Sequence, residues 1–333
     1  MKTNFLAKYE NALVLPENPD YDLACDIIDY LDFDFWQPLA ERLANQHDLT
    51  FTHCERVSEG ANPVFIFEGD EKFILKLVPP NWSQQAVAEI AALSLFDGVD
   101  IELDVPKLML YGKYRNWDYI FMSFVEGEIL SNILTDITKK EKIDIAFQLG
   151  QFSKVLHGLD VPNLPEITLN WSEFLDTQLK NVFNKRQKQG LIEPFLSDLI
   201  PYLDSINIEH KINKNCFIHT DLHPGNLLVE RTQNGVKLSG IIDFGDAVVC
   251  PDPVFEFTSP GLLLALSDKD VFESYLKGYE YCLDKPQNLV EQCMALSLLR
   301  HTGELNYILN TVPNAAQAKN WAEAEALLFP VSL

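Results

Sequence analysis

The apolar residues of this chain fall into two textures, and the change between them comes near residue 126. From 51 to 78 they form short runs, FTHCERV, PVFIFEG and EKFILKLV, separated by the turn-like EGAN (59–62) and EGDE (68–71). Short aromatic and β-branched runs between such clusters predict a three-strand meander. Pro79-Pro80-Asn81 ends the sheet, because proline cannot donate to a ladder. Ser83 is then placed to cap a helix running to about Phe96. Two more strand-like segments follow, KLMLYGKY (107–114) and YIFMSFV (119–125).

After Glu126-Gly127 long helical stretches dominate. Residues 139–158 carry Ile143, Ile145, Ala146, Leu149, Phe152, Val155 and Leu156 at close to a 3.6-residue period. Helical texture returns at 171–188 and 193–204, a β-like block spans 214–243, and helices are expected over 268–330. Ahead of the sheet, residues 20–47 are acidic and periodic enough for one or two helices. The order predicts an acidic helical N-terminal extension (1–50), a small sheet with one helix (51–125), and a mostly helical region holding a short hairpin (126–333). No internal repeat or low-complexity tract interrupts it.

Composition narrows the partners. Nearly half of the 333 residues are apolar, which excludes a disordered chain. The formal net charge of −23 argues against nucleic acid, whose phosphates it would repel. It is compatible with a cationic small molecule and equally with plain solubility. Six scattered cysteines without a CxxC pair speak against a zinc knuckle or a disulfide framework. The N-terminal MKTNFLAKYENALVL lacks the apolar run of a signal peptide, and no stretch approaches the length of a membrane span. A cytoplasmic protein is expected, with no membrane partner; nothing in the pattern fixes its oligomeric state.

The candidate chemistry lies in CFIHTDLHPGNLLVE (216–230). His219, Asp221 and His223 alternate there, as in an imidazole metal site or in the acid–base loop of a group-transfer enzyme. The residues after Asn226 shift the weight. LLVE (227–230) and KLSGIID (237–243) flank Asn234-Gly235, a strong hairpin signal because both residues tolerate positive φ. Such a hairpin returns Asp243 to the end where Asn226 lies, so Asp221, Asn226 and Asp243 should converge. A carboxylate with an amide oxygen suits Mg2+, which takes oxygen ligands and keeps several waters. A second carboxylate nearby can orient an attacking hydroxyl. These are the requirements of phosphoryl transfer.

His219-Thr220-Asp221-Leu222-His223-Pro224-Gly225-Asn226, followed by Ile242-Asp243-Phe244-Gly245-Asp246, resembles the catalytic and metal motifs of protein-kinase-like enzymes. The form is most similar to the aminoglycoside phosphotransferase and choline kinase-type small-molecule kinases. The resemblance spans roughly residues 51–260. It implies an α+β, bilobal protein-kinase-like fold, with a small antiparallel-sheet N-lobe carrying one key helix and a larger, mostly helical C-lobe. It also implies Asp221 as catalytic base and Asn226 and Asp243 as Mg2+ ligands. Lys76, inside the otherwise apolar FILKLV, is costly to bury unpaired and would clamp the phosphates of ATP. Its partner would be Glu89, the only acid in the helix over 83–96. The plainer alternatives are an edge lysine, which Lys72 better fits, and a solvated glutamate. Gly60 and Asn62 in SEGANPV would form a reduced phosphate-covering turn, and Met122 and Phe124 the adenine-binding hinge.

The implied activity is ATP-dependent phosphorylation of a hydroxyl on a small molecule such as an aminoglycoside, an amino alcohol or a sugar-like acceptor. Two departures separate the chain from protein kinases: His223 stands where they usually carry lysine, and Pro251-Asp252-Pro253 leaves no room for a long activation segment. The alternatives are a catalytically inactive nucleotide-binding scaffold, a kinase acting on protein, and an iron oxygenase using His219, Asp221 and His301. In the kinase reading His219 packs and hydrogen-bonds the loop, and His223 either meets the substrate or braces the loop. Asp246 and Asp252 are turn or helix-capping residues as readily as functional ones. Trp171, Glu256, Glu304 and segment 298–307 either line an acceptor pocket or simply pack.

Overall fold

The computed structural model describes residues 9–58, 60–99, 101–161, 164–206, 208, 214–233, 235–300, 303 and 305–332. The chain divides into two compact units, one of residues 1–100 with 105–125 and one of 101–104 with 126–333.

The first unit is built on an antiparallel five-stranded sheet of β1 (His53–Arg56), β2 (Val64–Glu68), β3 (Phe73–Val78), β4 (Leu108–Tyr114) and β5 (Trp117–Ser123), in the order β1-β2-β3-β5-β4. Two helices precede it, α1 (Tyr21–Tyr30) and α2 (Phe33–Gln46). Asp20 and Asp32 start them: their carboxylates accept from the Leu23 and Phe35 N–H groups at 2.8 and 3.3 Å. The apolar stripes of both helices close over the sheet. Ile27, Trp36, Leu39 and Leu43 share one core with Phe65, Phe67, Leu75, Trp117 and Phe121. Burying a side chain of this size contributes about 1.5–3 kcal/mol. Arg56 on β1 adds hydrogen bonds to the Ile28 and Leu31 carbonyls, which α1 leaves open at its C-terminal end.

Helix α3 (Gln84–Leu95) begins differently from the expected serine cap. Ser83 has helical angles (φ −54°, ψ −18°), and its side chain makes no capping hydrogen bond. A 3-10 turn over Pro80–Trp82 leads directly into the helix. The chain therefore arrives already helical, without the extended Ncap geometry that would aim the hydroxyl at the first turn.

In the second unit the main helices are α4 (Lys139–Gly158), α5 (Trp171–Lys188), α6 (Phe195–Ser205), α7 (Val254–Ser259), α8 (Lys269–Gly278), α9 (Pro286–Leu299), α10 (Leu305–Thr311) and α11 (Trp321–Leu328). Thr138 and Glu141 form a capping box at the start of α4. Helices α4 and α8 cross at backbone distance. A Cβ on Gly150 would lie 2.1 Å from the Tyr275 carbonyl oxygen, and one on Gly278 would lie 2.0 Å from that of Phe147. Only glycine admits that crossing. Among the described residues no helix is long and apolar enough to cross a membrane.

Five short strands carry the loops of this unit. β6 (Glu128–Ile129), β8 (Leu227–Thr232) and β9 (Gly235–Ile241) form one antiparallel sheet, and β7 (Cys216–Ile218) pairs with β10 (Val248–Cys250). The β8–β9 hairpin is present, and its strands run further than the expected LLVE and KLSGIID. Gly235, at φ +117°, already pairs with Thr232. Asn234 itself lies outside the described residues. A bulge at Leu228/Val229 takes up the register shift, and Leu227 ends opposite Ile241.

Candidate active site

The loop after β7 is held from beneath by a buried carboxylate. Glu256, at the start of α7, is fully buried and accepts the backbone N–H groups of His219 (2.7 Å) and Thr220 (2.8 Å). Thr220 adopts φ 68°, a region costly for a β-branched residue, and its hydroxyl donates to the Asp246 carbonyl at 2.9 Å. These bonds hold a turn that the backbone alone would not choose. His219 is also fully buried. Its Nε2 lies 3.1 Å from the Ile242 carbonyl, its Nδ1 accepts the Asp221 N–H at 3.2 Å, and its ring packs on Phe244 with centroids 4.5 Å apart. The carbonyl requires Nε2 to carry the proton, so neither nitrogen has a lone pair to offer a metal. His219 ties the loop to the segment after β9, and the oxygenase triad loses one ligand. His301 lies outside the described residues.

Asp221 stands at the top of this brace with 30% of its side chain exposed. Its Oδ2 meets Nε2 of His223 at 3.4 Å and the Asn226 amide nitrogen at 3.3 Å, and its Oδ1 meets the Arg300 guanidinium at 3.1 Å. His223 Nδ1 accepts the Gly225 N–H at 3.0 Å, which leaves Nε2 as the protonated nitrogen facing Asp221. Burial alone would push the Asp221 carboxyl up. The His223 hydrogen bond and the Arg300 charge outweigh it and hold the group well below the usual carboxylate range. The carboxylate is therefore ionised throughout the neutral range.

Asn226 and Asp243 come to the same end of the hairpin. The Ile242 N–H donates to the Asn226 carbonyl at 3.0 Å, which extends the β8–β9 pairing by one step and brings in the residue before Asp243. The buried Asn226 side chain spends its NH2 on the Asp221 carbonyl (3.0 Å) and carboxylate (3.3 Å), which directs its amide oxygen away from those acceptors. Asp243 is exposed, at φ 65°, with Oδ1 3.4 Å from the Gly245 N–H. One amide oxygen and one carboxylate fit a hard cation that keeps most of its waters. Among the described residues no group of three or more His, Cys, Asp and Glu could hold a metal, so a zinc- or iron-type cage has no counterpart there.

In the first unit Lys76 and Glu89 form an ion pair, and both are almost wholly buried. The pair joins the middle of β3 to the second turn of α3, and this replaces the edge-lysine and solvated-glutamate alternatives. Lys72 is the surface residue of the two, 3.2 Å from Glu68 and lying over the Phe124 ring. Gly60 has φ +121°, and the Asn62 side chain bridges Gln85 (3.0 Å) and the Trp82 indole (2.8 Å), tying the turn after β1 to the entry of α3. Met122 is buried and paired on both sides, with Ile74 and Leu108. The Phe124 N–H donates to the Lys72 carbonyl at 3.3 Å, so Phe124 keeps only its own carbonyl for a ligand.

Two residues of this site carry no usable sequence signal. Arg300 follows the last turn of α9, inside the LLRHTGELNY stretch, and nothing in that stretch marks it as the partner of an aspartate 79 residues earlier. Glu256 lies in an apolar helix, where it could have been a pocket residue, and turns out to be the brace under His219 and Thr220. Trp171 packs on Phe174 and Phe255, and Glu304 lies outside the described residues. Asp252 accepts the Val254 N–H at 3.0 Å, a turn role at the start of α7.

Comparison with known proteins identifies the family and the fold. The model of the phosphotransferase enzyme family, APH, matches residues 53–285. The fold is similar to that of wild-type aminoglycoside 2'-phosphotransferase-IIIa, solved as its GDP complex (TM-score 0.64, 18% identity, covering 88% of this chain and 95% of that one). It is similar also to APH(2")-IIa in its streptomycin–ATP ternary complex (TM-score 0.58, 18% identity, 91% and 99%). A third likeness is to macrolide 2'-phosphotransferase MphH from Brachybacterium faecium (TM-score 0.57, 16% identity, 89% and 99%). Among curated proteins the chain is 24% identical to part of lysine-specific demethylase JMJ21 of Arabidopsis thaliana, over 49% of this chain. The match takes in 21% of the demethylase, so the chain spans about a fifth of that relative's length. With the family model covering well over half of its residues, and with an α+β, protein-kinase-like fold shared with these small-molecule kinases, the chain belongs to the phosphotransferase enzyme family.

Proposed function

We propose that this phosphotransferase moves the γ-phosphoryl group of ATP to a hydroxyl of a small-molecule acceptor, with Asp221 as the group that receives and orients that hydroxyl. The observation that carries the reading is the setting of Asp221: an ionised, partly exposed carboxylate held at fixed angles by Asn226, His223 and Arg300. The Asp221 carboxylate is too weak a base to deprotonate an alcohol early. Phosphoryl transfer passes through a loose transition state, so an aligned hydroxyl and neutralised phosphate charge matter more than early proton removal. Asp221 then takes the proton as the new P–O bond forms.

Asn226, through its amide oxygen, and Asp243 would hold Mg2+, which when bound neutralises and orients the phosphates. Lys76, held by Glu89, would pair with the nucleotide phosphates, and the turn with Gly60 and Asn62 would cover them. Met122 and Phe124 would border the adenine. ATP as donor is supported by family membership and by similar proteins solved with ATP, ADP and GDP.

The test is ADP release with Mg2+-ATP across a panel of hydroxylated acceptors. Acceptor-dependent turnover is expected, and Asp221→Ala should lower kcat by about 10²–10⁴-fold while Mg2+-ATP still binds. Phosphorylation at the normal rate by that variant would overturn the assignment. Nucleotide binding without turnover on any acceptor, peptides included, would favour the inactive scaffold instead.

A further inference from the structure

A cavity of about 460 Å³ lies within the second unit, walled by the segment 101–104, by Glu126 and Gly127, by the β8–β9 hairpin and by one face of α4. It shares no lining residue with the pocket of Asp221 and His223, and no step of the proposed transfer uses it. Its volume falls in the range of small-molecule sites, roughly 300–1,000 Å³. Hydrogen bonds fix its walls to one another. The Asp104 N–H donates to the Ser239 carbonyl at 3.0 Å, and the Asp104 carbonyl accepts the Ile241 N–H at 2.9 Å. Gln148 on α4 accepts the Leu238 N–H at 3.2 Å and donates to the Asp144 carbonyl at 3.0 Å.

Four carboxylates face this space, Glu102, Asp104, Glu126 and Glu230. Lys237, also in the wall, takes up Glu230 at 2.6 Å. The exposed side chains of Glu102, Asp104 and Glu126 have no hydrogen bond or ion pair among the described residues. They are also not grouped tightly enough to hold a metal ion. Their charge is spread over the opening, so it suits a cation whose own charges are spread.

The surface between them is apolar. Phe152 and Leu238 are buried there, and Val155 leaves 48% of its surface exposed on the same wall. The Ser239 hydroxyl oxygen, in that wall too, is buried and has no hydrogen-bond partner among the described residues. Such a group is costly to leave unpaired, and a hydroxyl can accept from an N–H. A Cβ on Gly127, at φ +141°, would lie 2.8 Å from that oxygen, so glycine leaves this side of it free of a side chain.

An aliphatic polyamine meets each of these features. Its ammonium groups need anions once they leave water, and its methylene runs separate them by enough to reach carboxylates on different walls. The methylenes would lie on Phe152, Val155 and Leu238. We infer that this cavity is a binding site for an aliphatic polyamine, with Glu102, Asp104 and Glu126 on its ammonium groups and the Ser239 hydroxyl accepting an N–H between them. The site stands apart from the phosphotransferase reading, and its test uses no nucleotide.

The experiment is a calorimetric titration of the whole chain with spermidine at about 0.15 M salt, where attraction between exposed charges is screened beyond about 8 Å. Saturable binding is expected, weakened at least tenfold in Glu102→Gln/Glu126→Gln. Val155→Lys, which sets a like charge on the apolar wall, should weaken it as much by an independent route. A cooperative thermal transition checks that each variant is folded. Asp48→Asn/Asp70→Asn removes the same charge from the first unit and should bind as the wild type does. Equal weakening in that control, or an affinity that neither cavity variant changes, would mean attraction to the acidic surface as a whole and would overturn the inference. The absence of saturable spermidine binding would overturn it as well. So would cavity-dependent binding of an oligolysine peptide where spermidine is silent, which would make this a docking surface for a basic protein segment.

Discussion

The Arg300 guanidinium lies 3.1 Å from Oδ1 of Asp221, across 79 residues of sequence, while His223 and Asn226 occupy Oδ2. Between them these three side chains set the protonation and the direction of the carboxylate proposed to orient the acceptor. Burial opposes the charge, and the partners overcome it. The balance can be tilted from either side.

Removing one of the partners should therefore move the acid limb of activity. In the wild-type chain the Asp221 carboxyl stays ionised down into strongly acidic solution, so it contributes no limb near neutrality. In Arg300→Met or His223→Ala the burial that raises its pKa is less opposed, and the acid limb of kcat/KM should shift to higher pH. A pH–rate profile identical to the wild type in both variants would show that these partners do not govern Asp221.

The same shift has a stability consequence with a definite sign. The folded-state pKa of Asp221 is depressed below its unfolded value of about 3.9, so its contribution is complete above that pH and is lost as the pH falls through the folded-state value. Arg300→Met should narrow the stability gap between pH 7 and acid. Urea unfolding at pH 7 and at about pH 3 measures it; an unchanged difference between the two would contradict the linkage.

The Lys76–Glu89 pair should behave as a buried ion pair that is costly to halve. Glu89→Ala takes a carboxylate away from a buried ammonium in the first unit and should cost about 3–5 kcal/mol, whereas replacing both residues by packed apolar side chains should recover much of that loss. Denaturation of the single and double variants gives the cycle. ATP binding, measured in parallel, should fall in both, because the single variant loses the glutamate that positions the proposed phosphate clamp Lys76 and the double variant loses Lys76 itself.

Asp243 carries the proposed metal role with the least structural burden, since it is exposed. Asp243→Ala should lower Mg2+-dependent ATP affinity at least as much as the roughly 10–100-fold seen when a supporting group is lost from a metal site. Calorimetric titration with and without Mg2+ separates this from simple unfolding. Equal affinities with and without the metal, in wild type and variant alike, would remove Asp243 from the site.

Glu256 should act on turnover without touching a ligand. It accepts two backbone N–H groups that hold Thr220 at positive φ, and Glu256→Gln replaces charged hydrogen bonds with neutral ones at a cost of about 1.5–3 kcal/mol. A fall in kcat with little change in the KM for ATP is expected. Thr220→Gly, which relieves the strained angle, should return part of it in the double variant; no recovery would separate Glu256 from the geometry of the loop.

The sequence by itself determined what depends on short range. Period-two and apolar runs place the strands at His53–Arg56, Val64–Glu68 and Phe73–Val78, and a 3.6-residue period places the helix over Lys139–Gly158. The loop 219–226 and the hairpin after it bring Asn226 within one residue of Asp243, because local turn chemistry closes that distance. A lone lysine in an apolar strand and a lone acid in the next helix also announce each other, since neither can be buried alone. Only the tertiary structure decided the rest. It turned the acidic N-terminal helices inward, with Trp36 and Leu39 in the core of the sheet. It put Glu256 under the loop and Arg300 on Asp221. A charged residue set singly in an apolar or mixed helix has no periodicity and no motif that names its partner. The partner is chosen by how α7 and α9 pack against each other, where a buried charge is tolerated only beside the groups that satisfy it.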